Sequence, residues 1–146
     1  MSFIVSHFNE LHRALESYID IGGEGSMMSV KALWDTGVTQ SCISYEIVKM
    51  IEPKRISKSK VASVEKAVTE EIFAISVALS DEITFRDVAV KAMDLTEKDA
   101  DMLIGMDVIS KGDFEVRNYN GITQFAFSIP PRNEPIEWVK RCNNAK

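Results

Sequence analysis

Apolar and polar residues alternate along much of this chain with a period of two, the mark of strands that bury one face. The stretches "SYIDI" (17–21) and "SMMSVKALW" (26–34) both show it, and "GGEG" (22–25) between them supplies turn residues, so the pair predicts a β-hairpin whose glycines take up positive backbone dihedrals. Three longer runs rich in β-branched residues follow: "RISKSKVASV" (55–64), "AVTEEIFAISVAL" (67–79) and "ITFRDVAVKAMDL" (83–95). "DMLIG" (101–105) is short and apolar enough for a buried strand, and "FEVRNYNGITQFAFSI" (114–129) predicts two strands joined at Asn120-Gly121, the strongest short-range hairpin signal.

Helical spacing appears only briefly. In "SYEIVKMI" (44–51) Ser44 can cap a short helix that Pro53 ends, and "MDVISK" (106–111) predicts a second. Residues 3–16 suit a short strand or an amphipathic helical turn equally, and one helical turn is expected around Trp138. The pattern therefore predicts a mainly β protein of seven to nine short strands and two short helices, closed as a barrel or stacked as a sandwich. It divides into an N-terminal extension (1–16), one domain (17–130) and a C-terminal tail (131–146).

Composition narrows the function. The 146 residues are 45% apolar, enough for one domain with a core of its own. The net charge of −5 is spread along the chain, and the most basic stretch, "PKRISKSK" (53–60), reads as a solvated strand edge, so nucleic acid is not an expected partner. Cys42 and Cys142 are too few for a disulfide scaffold and do not have metal-ligand spacing. The N-terminus has neither a basic start nor a long apolar segment, so no signal peptide or membrane anchor is expected, and a cytoplasmic setting is.

One stretch resists a purely structural reading. "ALWDTGVTQSCIS" (32–44) carries a carboxylate to the end of an apolar strand and turns sharply there, which is costly unless the charge is paired or used. Leu33, Trp34, Asp35, Thr36 and Gly37, followed by a Ser/Thr-rich stretch, and about seventy residues later Leu103, Ile104 and Gly105 within "DMLIGMDVI", resemble the two blocks of the retropepsin-like aspartic proteases. The DNA-damage-inducible branch is the most similar in its second block. The resemblance implies a closed acid-protease β-barrel, one lobe per chain, with a flap hairpin.

It also implies a reaction. Aspartic proteases use two carboxylates that share one proton: one activates a water, the other protonates the scissile carbonyl. Such groups, about 3 Å apart, cannot both ionise. Asp35 would be one of them. The chain has a single Asp-Thr-Gly, so the resemblance implies a homodimer with one Asp35 from each subunit, and no metal or organic cofactor. Thr36 would hold the turn and bridge to the partner's turn, Gly37 would admit backbone and substrate, and Gly105 would allow a chain crossing behind the turn. An extended peptide or polyprotein segment would lie between the flap and the Asp35 floor, near Val38, Thr39, Gln40, Val64 and Ala67.

The sequence departs from the family in places. The flap stretch (57–71) has no glycine, with Ala67 and Val68 where glycines are usual, Val38 is larger than the alanine or serine usual after the motif, and Trp34 is bulky for its place and suits the core. A non-catalytic peptide-binding or scaffolding domain on the same fold is the alternative function. Other groups have plainer readings: Asp107 as an acid at a helix start, His7 and His12 at the surface, and Cys42 as a small buried residue.

Overall fold

The computed structural model describes residues 1–23, 25–62 and 67–136. Val64, Trp138 and Cys142 lie outside them. Ten strands form: β1 (Ser2–His7), β2 (Glu16–Gly22), β3 (Met27–Trp34), β4 (Cys42–Ser44), β5 (Lys54–Ala62), β6 (Ala67–Ser80), β7 (Ile83–Met93), β8 (Met102–Ile104), β9 (Asp113–Tyr119) and β10 (Ile122–Ile129). Two short helices, α1 (Tyr45–Ile51) and α2 (Met106–Ile109), join them.

The β2–β3 hairpin forms in the register Glu16↔Leu33 to Gly22↔Met27. Positive φ occurs in its turn at Gly25 (103°), whereas Gly22 is needed for space, since a Cβ there would meet the Ser26 carbonyl oxygen at 2.3 Å. The predicted β9–β10 hairpin also forms, with Asn120 and Gly121 both at positive φ (49° and 76°).

Six strands close into a barrel. β2 pairs with β3 on one side and with β6 on the other, which completes the ring β2-β3-β8-β4-β7-β6. β5 stands outside it, paired with β6 alone as a long hairpin. Alternation fills the interior: Phe73, Ile75, Val77 and Leu79 of β6 are buried, as are Val30 and Ala32 of β3 and Val90 and Ala92 of β7.

Strand order within the ring positions the site. β8 lies between β3 and β4, parallel to β3 and antiparallel to β4. The segment 35–41 that joins β3 to β4 must therefore cross the end of β8.

A second sheet, β1-β10-β9, packs below that crossing. Its Phe114 stacks on Trp34 at 5.3 Å, with Phe125 and Phe127 tilted against the same indole. Trp34 is 5% exposed and its indole N–H donates to Ser17 Oγ at 2.8 Å, so the core takes it as expected. The tenth strand is β1, at residues that suited two readings. Phe3 and Val5 are exposed while Ile4 packs on the core, so apolar residues on both faces hid the period.

Ser44 caps α1, its side chain accepting from the Ile47 N–H at 3.3 Å, and Glu52, in the left-handed region, returns its N–H to the Val48 carbonyl. Ser44→Ala is expected to cost about 1 kcal/mol, read by denaturant unfolding.

Two surface carboxyls are better hydrogen-bonded when ionised. The backbone N–H and guanidinium of Arg132 lower the pKa of Asp113, and the hydroxyl and backbone N–H of Thr96 lower that of Asp94, both from an ordinary 3.8. The unfolded chain then binds these protons more tightly, so their contribution is complete above about pH 4 and lost as pH falls through the depressed values. Thermal unfolding scanned from pH 6 to 2 is expected to show Tm dropping below about pH 4. Asp113→Asn should make the drop shallower.

Candidate active site

β3 ends at Trp34 and the chain turns at once. The Val38 N–H closes the turn on the Asp35 carbonyl at 3.2 Å, and Asp35 Oδ1 accepts from the Gly37 N–H at 2.9 Å. Asp35 is half-buried, and Thr36 and Gly37 are exposed. A Cβ on Gly37 would come within 3.2 Å of Asp35 Oδ1, so glycine keeps that carboxylate where it is.

Where the turn crosses β8, backbone bonds hold it. The Asp35 N–H donates to the Ile104 carbonyl (2.9 Å), the Met106 N–H to the Val38 carbonyl (2.7 Å) and the Asp107 N–H to the Thr39 carbonyl (3.2 Å). Leu103, Ile104 and Gly105 thus lie against the turn. Gly105 is the contact point, because a Cβ there would meet the Val38 carbonyl oxygen at 2.7 Å.

Two further residues complete the clamp. Ser41 Oγ accepts from the Gly105 N–H (2.9 Å) and donates to Asp107 Oδ1 (2.7 Å), and the Ser41 N–H reaches both Asp107 carboxylate oxygens at 3.1 Å. Asp107 Oδ1 also accepts from the Val108 N–H at 3.0 Å, so it serves the helix start as expected and fastens the turn as well. Sequence reasoning missed Ser41. It is fully buried just before β4, where a polar group needs a partner, but nothing local in the sequence names Asp107 as that partner.

The other expected site residues are spread more widely. Val38 packs with Leu33 and Met93 against Cys42, Leu95 and Leu103, an apolar floor beside the turn. Thr39 is exposed. Gln40 donates from Nε2 to the Ala89 carbonyl at 3.4 Å and borders a cavity of about 420 Å³ with Phe85, Arg86 and Lys111. Ala67 opens β6 opposite Ala62.

Cys42 is 5% exposed and its thiol donates to the Gln40 carbonyl. Burial pushes its pKa up, as for an inert small residue. His7 is exposed, facing Gln124, but His12, expected at the surface, is half-buried. Its ring stacks on Phe8 at 4.1 Å, and its backbone N–H donates to Thr123 Oγ1 at 2.8 Å. Among the described residues no group of three or more His, Cys, Asp or Glu side chains could hold a metal ion, and no helix is long and apolar enough to cross a membrane.

A six-stranded barrel with an Asp-Thr-Gly turn clamped over a Leu-Ile-Gly strand defines a retropepsin-like domain. The profile of the aspartyl protease family matches residues 19–108, and the chain belongs to that family. The crystal structure of a retropepsin-like aspartic protease from Rickettsia conorii superposes with a TM-score of 0.51 at 16% identity, covering 87% of this chain and 95% of that one. The retroviral protease-like domain of Ddi1 from Leishmania major gives a TM-score of 0.45 at 16% identity, covering 81% and 96%. No curated protein sequence matches the chain.

Proposed function

We propose that this chain is an aspartic endopeptidase that works as a twofold-symmetric homodimer, with Asp35 from each copy supplying one carboxylate of a shared-proton dyad. The observation that carries this reading is the held carboxylate itself. Asp35 is fixed by the Gly37 N–H in a turn that seven further hydrogen bonds tie to β8 and α2, four to the Ile104, Val38 and Thr39 carbonyls and Ser41 Oγ and three from Ser41 to the Asp107 carboxylate, and it stays open to solvent beside an apolar floor. Such preorganisation, with no salt-bridge partner among the described residues, suits chemistry better than stability.

In the dyad the ionised carboxylate takes a proton from a water as the water oxygen bonds to the scissile carbonyl carbon. The protonated carboxyl gives its proton to the carbonyl oxygen. The C–N bond then breaks as the proton taken from water passes to the departing amine, while one hydroxyl of the diol re-forms the carbonyl and returns its proton to the dyad, so one water is added across the peptide bond and the shared proton is restored. An extended peptide would lie along Leu33, Val38 and Leu103, under the β5–β6 hairpin.

The dimer is tested by dilution. Cleavage of a diverse peptide library, scanned from about pH 3 to 8 because a shared-proton pair titrates over a wide span, should fall faster than linearly as protein is diluted below its dimer dissociation constant. A specific activity that stays constant where sedimentation shows only monomer would sink the dyad. Cuts by dimeric protein establish the peptidase, and their complete absence from folded dimer favours the scaffolding alternative.

A further inference from the structure

The floor beside Asp35 is not uniformly apolar. Cross-strand registers set Leu33 of β3 opposite Leu103 of β8, Leu103 opposite Cys42 of β4, Cys42 opposite Lys91 of β7, and Lys91 opposite Ile72 of β6. Residues directly opposite share a sheet face, and three of these, Leu33, Leu103 and Cys42, belong to the apolar floor that Val38 joins just after the Asp35 turn. One ammonium thus stands in a row otherwise made of leucine, cysteine and isoleucine. It is ion-paired with Glu70, which precedes Ile72 by two residues on β6 and shares its face. Proximity to the floor shows at Cys42, where the positive charge of Lys91 works against the rise that burial imposes on the thiol.

The pair is not there for stability. Its side chains are 33% and 32% exposed, and ion pairs so open to water contribute about 0–1 kcal/mol. It does change what the row can accept. An ammonium offers only donors and a carboxylate only acceptors, so a side chain lying against both is best matched by a group with one of each. A carboxamide has that arrangement. A carboxylate would face Glu70, an ammonium would face Lys91, and an aliphatic group would strip water from both charges without replacing it.

Building on the peptidase reading, we propose that Lys91 and Glu70 are specificity-determining residues, forming a polar subsite that takes a glutamine or asparagine side chain of a peptide laid along this row. The test is a positional peptide library cleaved by the wild-type protein, by Glu70→Gln and by Lys91→Met, each shown to be folded by circular dichroism. The wild type should prefer carboxamides at one position. Glu70→Gln frees the ammonium and should move that preference at least about tenfold toward Asp and Glu, whereas Lys91→Met leaves a lone carboxylate and should move it toward Lys and Arg. Coincident profiles for the three proteins overturn the proposal.

Binding of the same peptides to the three proteins in an Asp35→Asn background separates this proposal from the reading beneath it. Charge-dependent binding shifts without any cleavage by wild type would remove the peptidase and keep the subsite. Unshifted binding would remove the subsite whether or not the wild type cuts, and no binding with no cleavage would remove both.

Discussion

Asp35→Asn is expected to lower kcat/KM for peptide cleavage by about 10³-fold or more while leaving fold and dimer intact. Asparagine has the shape of aspartate, and its carbonyl oxygen can accept the Gly37 N–H that Asp35 Oδ1 accepts at 2.9 Å. Asp35 is half-buried and makes no ion pair among the described residues, so its charge is not part of the packing. The substitution removes only the ability to take and return a proton. A dyad drawn from two copies predicts something more specific. With half of a fixed amount of protein replaced by the variant, random pairing leaves about one quarter of dimers with two aspartates, so activity should fall to about one quarter. A catalyst complete in one chain would fall to one half. Retention of cleavage by Asp35→Asn, in protein free of wild type, would refute the proposed chemistry outright.

Much of the scaffold around that carboxylate was legible because local signals and global fold agree. The β2–β3 hairpin, the Asn120-Gly121 turn and the Ser44 cap each rest on residues that do one thing wherever they stand. The Asp35 turn was legible for a different reason, since a charge at the end of an apolar strand conflicts with packing and calls for a use. What stayed hidden depends on long-range order. Nothing in "DMLIG" says that it slips between β3 and β4, and without that insertion no crossing and no clamp can be drawn. The Ser41–Asp107 bond joins residues 66 apart that meet only after the barrel closes. Likewise, Lys91 reads as an ordinary charge in an alternating strand until three registers set it in the row of Leu33, Leu103 and Cys42.

Gly105→Ala should lower cleavage about 10²-fold and cost about 1–3 kcal/mol, although the change adds a single methyl group. Backbone conformation is not the obstacle, because the φ of −96° at Gly105 is open to any residue. Space is. The new Cβ would lie 2.7 Å from the Val38 carbonyl oxygen, 3.1 Å from Val38 Cγ1 and 3.2 Å from Asp107 Oδ1. The valine side chain can rotate, but the carbonyl cannot, since it accepts the Met106 N–H at 2.7 Å and its own residue closes the Asp35 turn. Relief therefore requires the turn to lift from β8, which carries the carboxylate with it, and a displacement of about 1 Å is enough to spoil a catalytic geometry. Ser41→Ala provides the comparison. It strips the partner from the buried Gly105 N–H, at a cost of about 1–3 kcal/mol, without pushing on Val38. If the clamp positions Asp35, Gly105→Ala loses more activity than Ser41→Ala at matched stability, measured as kcat/KM well below each Tm. Equal losses would mean that the crossing only holds the barrel together and that Asp35 finds its place without it.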